Sequence, residues 1–309
     1  MKEYPKVTVL ILSYNGKELL QDAVSSYLAN DYPNFEVVVI DNGSSDSTKE
    51  YVEKEFPEAK VIRLEKNRGY SGGFNFGLEY AFSNTGAEYA LVTNNDVKVD
   101  SKAISELVKV AVLDEMTGFV TGKVYYFDQP DTFQTVGKEE HPIYWNGWHI
   151  GNKEKDTGQY EEIVERYFAD DIYTLVSKKM YSEIGAYDTN FLFQSEEYDW
   201  QARAKAKGYK IMYSPGAKLW HKESMTIGKQ SAFKAYYDAR NPMIVVMKYK
   251  SPEFFKKYFW QHFKYDVFRD SLIRIKKMRP KVAWSIWMGF FSGLKWGFQN
   301  KKLTRKHFF

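Results

Sequence analysis

The 309-residue chain contains no cysteine, which excludes disulfides and thiol chemistry. It holds only 5 histidines, too few for a His-rich metal cluster, though one or two can still act as ligands. No run of 18 apolar residues is present, so no transmembrane helix is expected. No signal peptide is expected either. The opening MKEYPKVTVLILSYN is basic and then apolar, but its apolar stretch is short and ends in SYNG rather than at a small-residue cleavage site. It reads as a first core strand. Internal repeats, low-complexity segments, zinc fingers, helix-turn-helix units and RNP-type motifs are all missing, so no nucleic-acid partner is expected. Two phosphate-binding signatures are absent as well. The first strand-to-helix turn, SYNGKE, has one glycine where a dinucleotide fold needs G-x-G-x-x-G, and G-x-x-x-x-G-K-[ST] occurs nowhere.

What is present suits an ordered globular chain: 44% hydrophobic, 27% charged and 17% aromatic residues. Charge is unevenly placed. From Lys248 onward there are 16 Lys and Arg against 3 acidic residues, a local +13 that leaves −9 for the rest of a +4 chain. Such asymmetry points to a polyanionic partner.

The first hundred residues alternate between two periodicities. Apolar, β-branched runs at 7–14, 35–43, 59–65 and 87–96 predict strands buried on both faces. Helical spacing at 17–30, 46–56 and 71–85 separates them. The β-α-β-α-β-α-β order predicts an α/β fold with a parallel sheet covered by helices. Beyond residue 100 the pattern loosens. A helix is expected at 101–114, a strand at 119–128, a loop-rich segment at 129–168, strand then helix at 171–185, helix then strand at 197–211, and aromatic, basic helices from about 229. Ligands bind outside the carboxyl ends of strands in such sheets. Polar residues gather there: Ser13, Tyr14 and Asn15, then Asp41 and Asn42, then Asn67 and Arg68, then Asn94, Asn95 and Asp96. Any one is an ordinary turn residue; four successive strand ends are harder to explain that way.

The segments VTVLILSYNGKELL, VVVIDNGSSDST, NRGYSGGFNFGLEYA and ALVTNNDVKVD, in that order, resemble the family 2 glycosyltransferases of the GT-A fold. The likeness is greatest to the rhamnosyltransferase and galactofuranosyltransferase branch, and covers roughly residues 5–245. It implies a GT-A nucleotide-diphospho-sugar transferase fold with a mostly parallel central sheet flanked by helices. The catalytic domain would be 1–245, with a nucleotide-sugar half (1–100) and an acceptor half (101–245), followed by a basic, aromatic helical appendage (246–309). The implied activity is inverting, metal-dependent transfer of a sugar from a dTDP- or UDP-sugar to a hydroxyl of a polysaccharide or lipid-linked glycan. Rhamnose is the first choice, a hexose or galactofuranose the next.

The resemblance also assigns residues. Asn94-Asn95-Asp96 occupies the place of an acidic D-x-D-like motif, with Asp96 and His221 as ligands of Mg²⁺ or Mn²⁺ on the diphosphate. The motif departs from the family in having one carboxylate. Ser13, Tyr14 and Asn15 should line the nucleotide pocket, Asp41 should accept from base or ribose, and Asn67, Arg68, Gly73 and Asn75 should hold the diphosphate end. EEYDW matches the segment carrying the catalytic base, which makes Glu197 the expected base with Glu196 beside it; Glu stands where Asp is usual. Asp199, Trp145, Trp148 and Trp200 are expected at the acceptor, and Arg240 near the diphosphate. The interleaved aromatics and cations of 250–309 suit an anionic bilayer surface, or a helical subdomain packed on the core, or both. The expected location is cytoplasmic, peripheral on the inner face of the cell membrane. The competing readings are a sugar nucleotidyltransferase, which would show a glycine-rich loop where SYNGKE stands, and a non-catalytic nucleotide-sugar or membrane-binding protein.

Overall fold

The computed structural model describes residues 4–144, 147–222 and 231–300. In chain order the strands are β1 (Val7–Ser13), β2 (Phe35–Asp41), β3 (Lys60–Arg63), β4 (Tyr89–Asn94), β5 (Val97–Val99), β6 (Thr117–Tyr126), β7 (Gln129–Thr135), β8 (Lys138–Glu139), β9 (Trp148–His149), β10 (Val164–Glu165), β11 (Tyr173–Ser177) and β12 (Lys210–His221). The helices are α1 (Leu20–Leu28), α2 (Thr48–Glu55), α3 (Gly69–Asn84), α4 (Ala103–Ala111), α5 (Lys178–Ile184), α6 (Glu196–Ala206), α7 (Ala232–Tyr249), α8 (Pro252–Gln261), α9 (Asp270–Lys276) and α10 (Pro280–Gln299). A π-helical stretch, His262–Arg269, joins α8 to α9.

The main sheet runs β10-β12-β6-β11-β4-β1-β2-β3. Its first-half strands are parallel, as their two-faced burial predicts, with Ser13 in register with Asp41 and Leu12 with Asn94. The sheet as a whole is mixed rather than mostly parallel. β11 runs antiparallel to both β4 and β6, and β5, β7 and β10 add antiparallel edges. Alternation along β1 and β2 divides two cores. Leu10, Val38 and Ile40 face α3 and α6, whereas Val9, Ile11, Val37 and Val39 face α1 and α4.

Antiparallel β11 has a consequence for the site. Its first residues enter at the edge where β1, β2 and β4 end, with Tyr173 opposite Thr93. Asp170 and Asp171, just before β11, therefore meet the polar strand ends from the other half of the chain.

α7 runs continuously across the expected division at 245/246. Tyr258, Val267, Ile286 and Phe290 from the last helices share one core with Leu10 and Phe74. α10 approaches α7 closely because its facing side is glycine: a Cβ at Gly289 would collide with the Tyr236 carbonyl oxygen, and one at Gly293 or Gly297 with Met243 or Met247. Gly→Ala inside a helix ordinarily gains about 1 kcal/mol. Here the obstacle is backbone, and overpacking costs about 1–3 kcal/mol. Gly289→Ala is expected to lower the melting temperature in a thermal denaturation scan. A rise would mean that α10 does not pack this way.

Candidate active site

The carboxyl ends of β1 and β2 form a hydrogen-bonded floor. Ser13 is buried and its Oγ accepts from Asn95 Nδ2 at 3.1 Å. A side chain at Gly16 would strike the same amide, so the first turn closes directly on Asn95. Asn15 adopts a left-handed backbone (φ 48°), donates its N–H to Ser44 Oγ (3.0 Å) and accepts from the Ser45 N–H (2.8 Å). Tyr14 projects into solvent beside it. Asp41 is fully buried. Its Oδ1 accepts from the Ser44 N–H at 2.8 Å, while Oδ2 has no hydrogen-bond partner among the described residues and lies 3.7 Å from Arg63 Nε. A buried acceptor left open is costly without a ligand donor. A nucleobase N–H or ribose hydroxyl would supply one.

Asn42, next along the chain, orders the third strand end. Its Nδ2 donates to Asn67 Oδ1 (3.1 Å) and to the Gly69 carbonyl (3.0 Å), and its Oδ1 accepts from the Arg68 N–H (2.9 Å). Asn67 and Arg68 are exposed, the Arg68 guanidinium lying 5.8 Å from the Phe76 ring centre. At Gly73 a Cβ would lie 2.5 Å from Leu12 Cδ1, so this glycine serves the packing of α3 on β1. Asn75 is spent on the protein, donating to the Tyr187 carbonyl and accepting from its N–H, both at 2.9 Å.

The fourth strand end forms a corner with β12. β5 pairs antiparallel with β12, with Val97 opposite His221, which brings Asp96 Oδ1 to 3.2 Å from His221 Nε2. Both side chains are buried, 5% and 7% exposed. On the far side of the ring, His221 Nδ1 meets Gln134 Oε1 at 2.8 Å. With the Nδ1 proton given to Gln134, the Nε2 lone pair points at the carboxylate. A divalent cation would satisfy both. No group of three or more His, Asp or Glu side chains with metal-binding geometry exists among the described residues. Phosphate oxygens and water would complete with these two side chains a set of the kind that Mg²⁺ accepts. Asn94 Oδ1 faces Tyr70 Oη at 3.5 Å.

A carboxylate cluster lies across Tyr70 from this corner. α6 begins at Glu196 after two consecutive residues in the left-handed region, Gln194 (φ 66°) and Ser195 (φ 70°). Such a conformation is strained for non-glycine residues and persists where surrounding contacts fix it. Asn241 of α7 supplies them, donating to the Phe193 and Gln194 carbonyls at 2.7 Å each. Glu196 is 5% exposed and its Oε2 has no hydrogen-bond partner among the described residues. Burial, and then the neighbouring Glu197, push its carboxyl well above the ordinary range. Burial and Glu197 do the same to Asp171, whose Oδ2 accepts from Tyr187 Oη at 2.7 Å. Glu197 is also raised by burial, but Lys138 opposes the shift. Lys138 is buried, 2.6 Å from Asp170 Oδ1, with Tyr198 Oη against the same ammonium. Despite burial, Asp170 is held below the carboxylate range by Lys138 and by His149, whose Nδ1 is 3.1 Å away. Tyr70 joins the two constellations: its Oη donates to the Asp171 carbonyl (3.1 Å), and burial followed by the charges of Asp171, Glu196, Glu197 and Asp96 hold its phenol well above 10.0.

The expected acceptor residues separate. Trp148 is 58% exposed, its ring 4.5 Å centre to centre from His141 and adjacent in sequence to His149. Trp145 lies outside the described residues. Trp200 is a core residue, 1% exposed, donating to the Gly185 carbonyl at 2.8 Å and packed on Phe119 and Tyr187. Asp199 is fully buried, pairs with Arg203 Nε of its own helix (3.0 Å), and ties α6 to α7 through Lys248 and Tyr249 Oη (2.7 Å). Arg240 donates to the Asn190 carbonyl (3.0 Å) and braces the segment before α6. Asn42, Tyr70, Lys138, Asp170 and Asp171 joined the site without being singled out as ligands. The adjacent pair Asp170-Asp171 before an apolar strand was the one signal available for them.

The sequence model of glycosyl transferase family 2 matches residues 8–185, more than half of the chain. The chain belongs to this family. Among curated proteins it is 26% identical over 224 residues to a poly-beta-1,6-N-acetyl-D-glucosamine synthase of Staphylococcus epidermidis, and 26% identical over 228 residues to one of Staphylococcus aureus. These alignments cover 72% and 73% of this chain but 51% and 52% of those proteins, so this family 2 chain spans about half the length of the curated relatives it matches. Among solved structures it resembles a mannosyltransferase of Pyrobaculum calidifontis in complex with GDP-Man and Mn²⁺ (16% identity, TM-score 0.55, 97% of this chain and 76% of that one). It also resembles GalNAc-T7 with UDP, GalNAc and Mn²⁺ (14%, TM-score 0.66, 97% and 58%) and S. aureus TarS 1-349 (14%, TM-score 0.53, 96% and 92%). At these identities the likeness establishes the fold, which is the GT-A arrangement.

The buried acids make a pH prediction. Glu196 holds its proton more tightly folded than unfolded, so its contribution favours folding below the ordinary glutamate value of 4.5 and is lost as pH rises through the raised folded value. Glu196→Gln should therefore raise the melting temperature at pH 8, and the gain should shrink as pH falls toward 4.5. A gain independent of pH would show that the carboxyl is not perturbed.

Proposed function

We propose that this protein is an inverting glycosyltransferase that moves a sugar from a nucleotide-diphospho-sugar to a hydroxyl of a growing polysaccharide or lipid-linked glycan. The observation that carries this reading is the facing of two constellations across Tyr70: the Asp96–His221 corner at the ends of β4 and β12, and the carboxylates at the start of α6. One suits a diphosphate leaving group and the other an attacking hydroxyl.

In this reading the nucleoside sits over Ser13, Tyr14 and Asn15, with its donor group toward Asp41 Oδ2. Arg68, exposed at the start of α3, draws the diphosphate. Asp96 and His221 would hold a divalent cation, Mg²⁺ or Mn²⁺, which when bound would supply positive charge to the diphosphate. Glu197 takes the proton of the acceptor hydroxyl as its oxygen forms a bond to the anomeric carbon. The bond from that carbon to the phosphate oxygen breaks on the opposite side, and the nucleoside diphosphate leaves with the electron pair. Glu197 is preferred over Glu196 because Lys138 favours its ionised form, whereas Glu196 is pushed well up by burial and by Glu197 itself. Trp148 offers an exposed ring for the apolar face of an acceptor sugar. The acceptor is met at an anionic membrane surface. The motif set favours dTDP-rhamnose as donor. The poly-beta-1,6-N-acetyl-D-glucosamine synthases, the mannosyltransferase with GDP-Man and GalNAc-T7 with UDP and GalNAc keep UDP-N-acetylhexosamines and GDP-mannose in the same trial.

Thermal shift with a panel of these nucleotide sugars, with Mg²⁺ or Mn²⁺, tests the donor site. Saturation at about 100 times Kd adds about 2.7 kcal/mol. One donor should stabilise, and Glu197→Gln should keep that shift while transfer to a glycan acceptor falls about 10²–10⁴-fold. Stabilisation by none of them would favour a non-catalytic protein. Pyrophosphate-dependent formation of a nucleotide sugar would instead favour a nucleotidyltransferase.

A further inference from the structure

Ten of the seventeen exposed large hydrophobic side chains among the described residues lie between Trp260 and Phe298. The transfer reaction uses none of them. They sit on a helical unit that already has a filled core, so they are not the residue of an incomplete one.

α10 shows the arrangement most plainly. One side, with Ile286, Gly289, Phe290 and Gly293, is buried, and its glycines close on α7. The other carries Trp284 (67% exposed), Met288 and Phe291, at intervals of four and three residues that stack on one helical face. Exposed Lys281 and Lys295 extend that face in the same register at either end. α9, which packs against α10, presents Leu272 and Ile275 to solvent among further lysines. An ordinary surface helix has one apolar side and one polar side. This helix has two apolar sides, and the outer one is bracketed by cations.

We propose that this outer face of α9 and α10 docks on an anionic lipid bilayer, with Trp284, Met288 and Phe291 entering the headgroup–acyl boundary and Lys281 and Lys295 meeting lipid phosphates. Charge chooses the bilayer over a second copy of the chain. Self-association through this face would bring together surfaces from the region that carries 16 Lys and Arg against 3 acids. An anionic surface neutralises them instead. The alternation of exposed apolar and cationic residues on this face is that of a helix lying in the interface plane.

The face is rigidly related to the candidate site. α10 closes on α7, and α7 holds the backbone before Glu196 through Asn241 and the side chain of Asp199 through Lys248. Docking α10 therefore fixes the position of the α6 carboxylates relative to the membrane, where a lipid-linked acceptor would be presented. This deepens the reading of a membrane-borne acceptor, but its test does not depend on transfer.

The test is co-sedimentation of the full chain with phosphatidylcholine vesicles, with and without phosphatidylglycerol, together with tryptophan emission. The protein should sediment with the phosphatidylglycerol vesicles, shift its emission to the blue, and release at high salt. Trp284→Glu/Phe291→Glu should weaken binding about tenfold or more. Lys281→Glu/Lys295→Glu should weaken it while removing no apolar surface. All substituted residues but none of the site are exposed on this face, so both variants should keep the wild-type melting temperature and donor-induced shift. Three results would overturn the proposal: no vesicle binding, equal binding to both vesicle types, or binding unaffected by either variant. Self-association in analytical ultracentrifugation that Trp284→Glu/Phe291→Glu abolishes, without vesicle binding, would assign the face to a second copy. Failure here leaves the transfer reading standing, and loss of transfer with intact vesicle binding leaves this one.

Discussion

The short pairing of β5 with the end of β12 is the contact on which the site depends. Three residues, Val97–Val99, are enough to set Val97 opposite His221. That register places a carboxylate from the first half of the chain against an imidazole from the second. The β1, β2 and β4 register independently brings Ser13, Asp41 and Asn94 to one edge. Because β11 is antiparallel, Asp170 and Asp171 arrive at that same edge. The polar floor at the ends of β1 and β2, the Asp96–His221 corner and the arrival of Asp170 and Asp171 are thus three products of one sheet's topology.

The acid cluster is held together against its own repulsion. Four carboxyls, Asp170, Asp171, Glu196 and Glu197, meet one buried ammonium, Lys138, and the half-exposed His149. The ammonium holds Asp170 ionised and favours charge on Glu197, while Glu196 and Asp171 are driven toward their protonated forms. Strain adds to the electrostatics. Two left-handed non-glycine residues precede Glu196, and Asn241, Arg240 and Lys248 of α7 grip the segment on both sides. α7 is therefore part of the frame that holds the acid cluster.

In the first hundred residues β1, β2 and β4 were legible because each is buried on both faces and ends in a polar cluster; β3, an edge strand with no buried residue, shows only a short β-branched run. The strand-end residues Ser13, Asp41, Asn95 and Asp96 lie together, as the rule about carboxyl ends implies. Side-chain roles inside helices were not legible. α6 buries Tyr198, Asp199, Trp200, Gln201 and Ala202 in succession, so no period marked Asp199 and Trp200 as interior residues. Gly73 and Asn75 sit in a glycine-rich helix entry, where packing on β1 and clamping of Tyr187 leave the same sequence trace as phosphate binding. Lys138 and His149 were hidden in the loop-rich 129–168 segment, where two-residue strands such as β8 and β9 are too short to carry alternation.

The account stands most directly on the Asp96–His221 corner. Calorimetric titration of a nucleoside diphosphate, with and without Mn²⁺, into the wild type, Asp96→Ala, His221→Ala and the double variant measures it. The account predicts Mn²⁺-dependent binding that each single substitution weakens strongly and that the second substitution weakens little further, because the two ligands share one ion. Mn²⁺-dependent binding that survives in both single variants would contradict it.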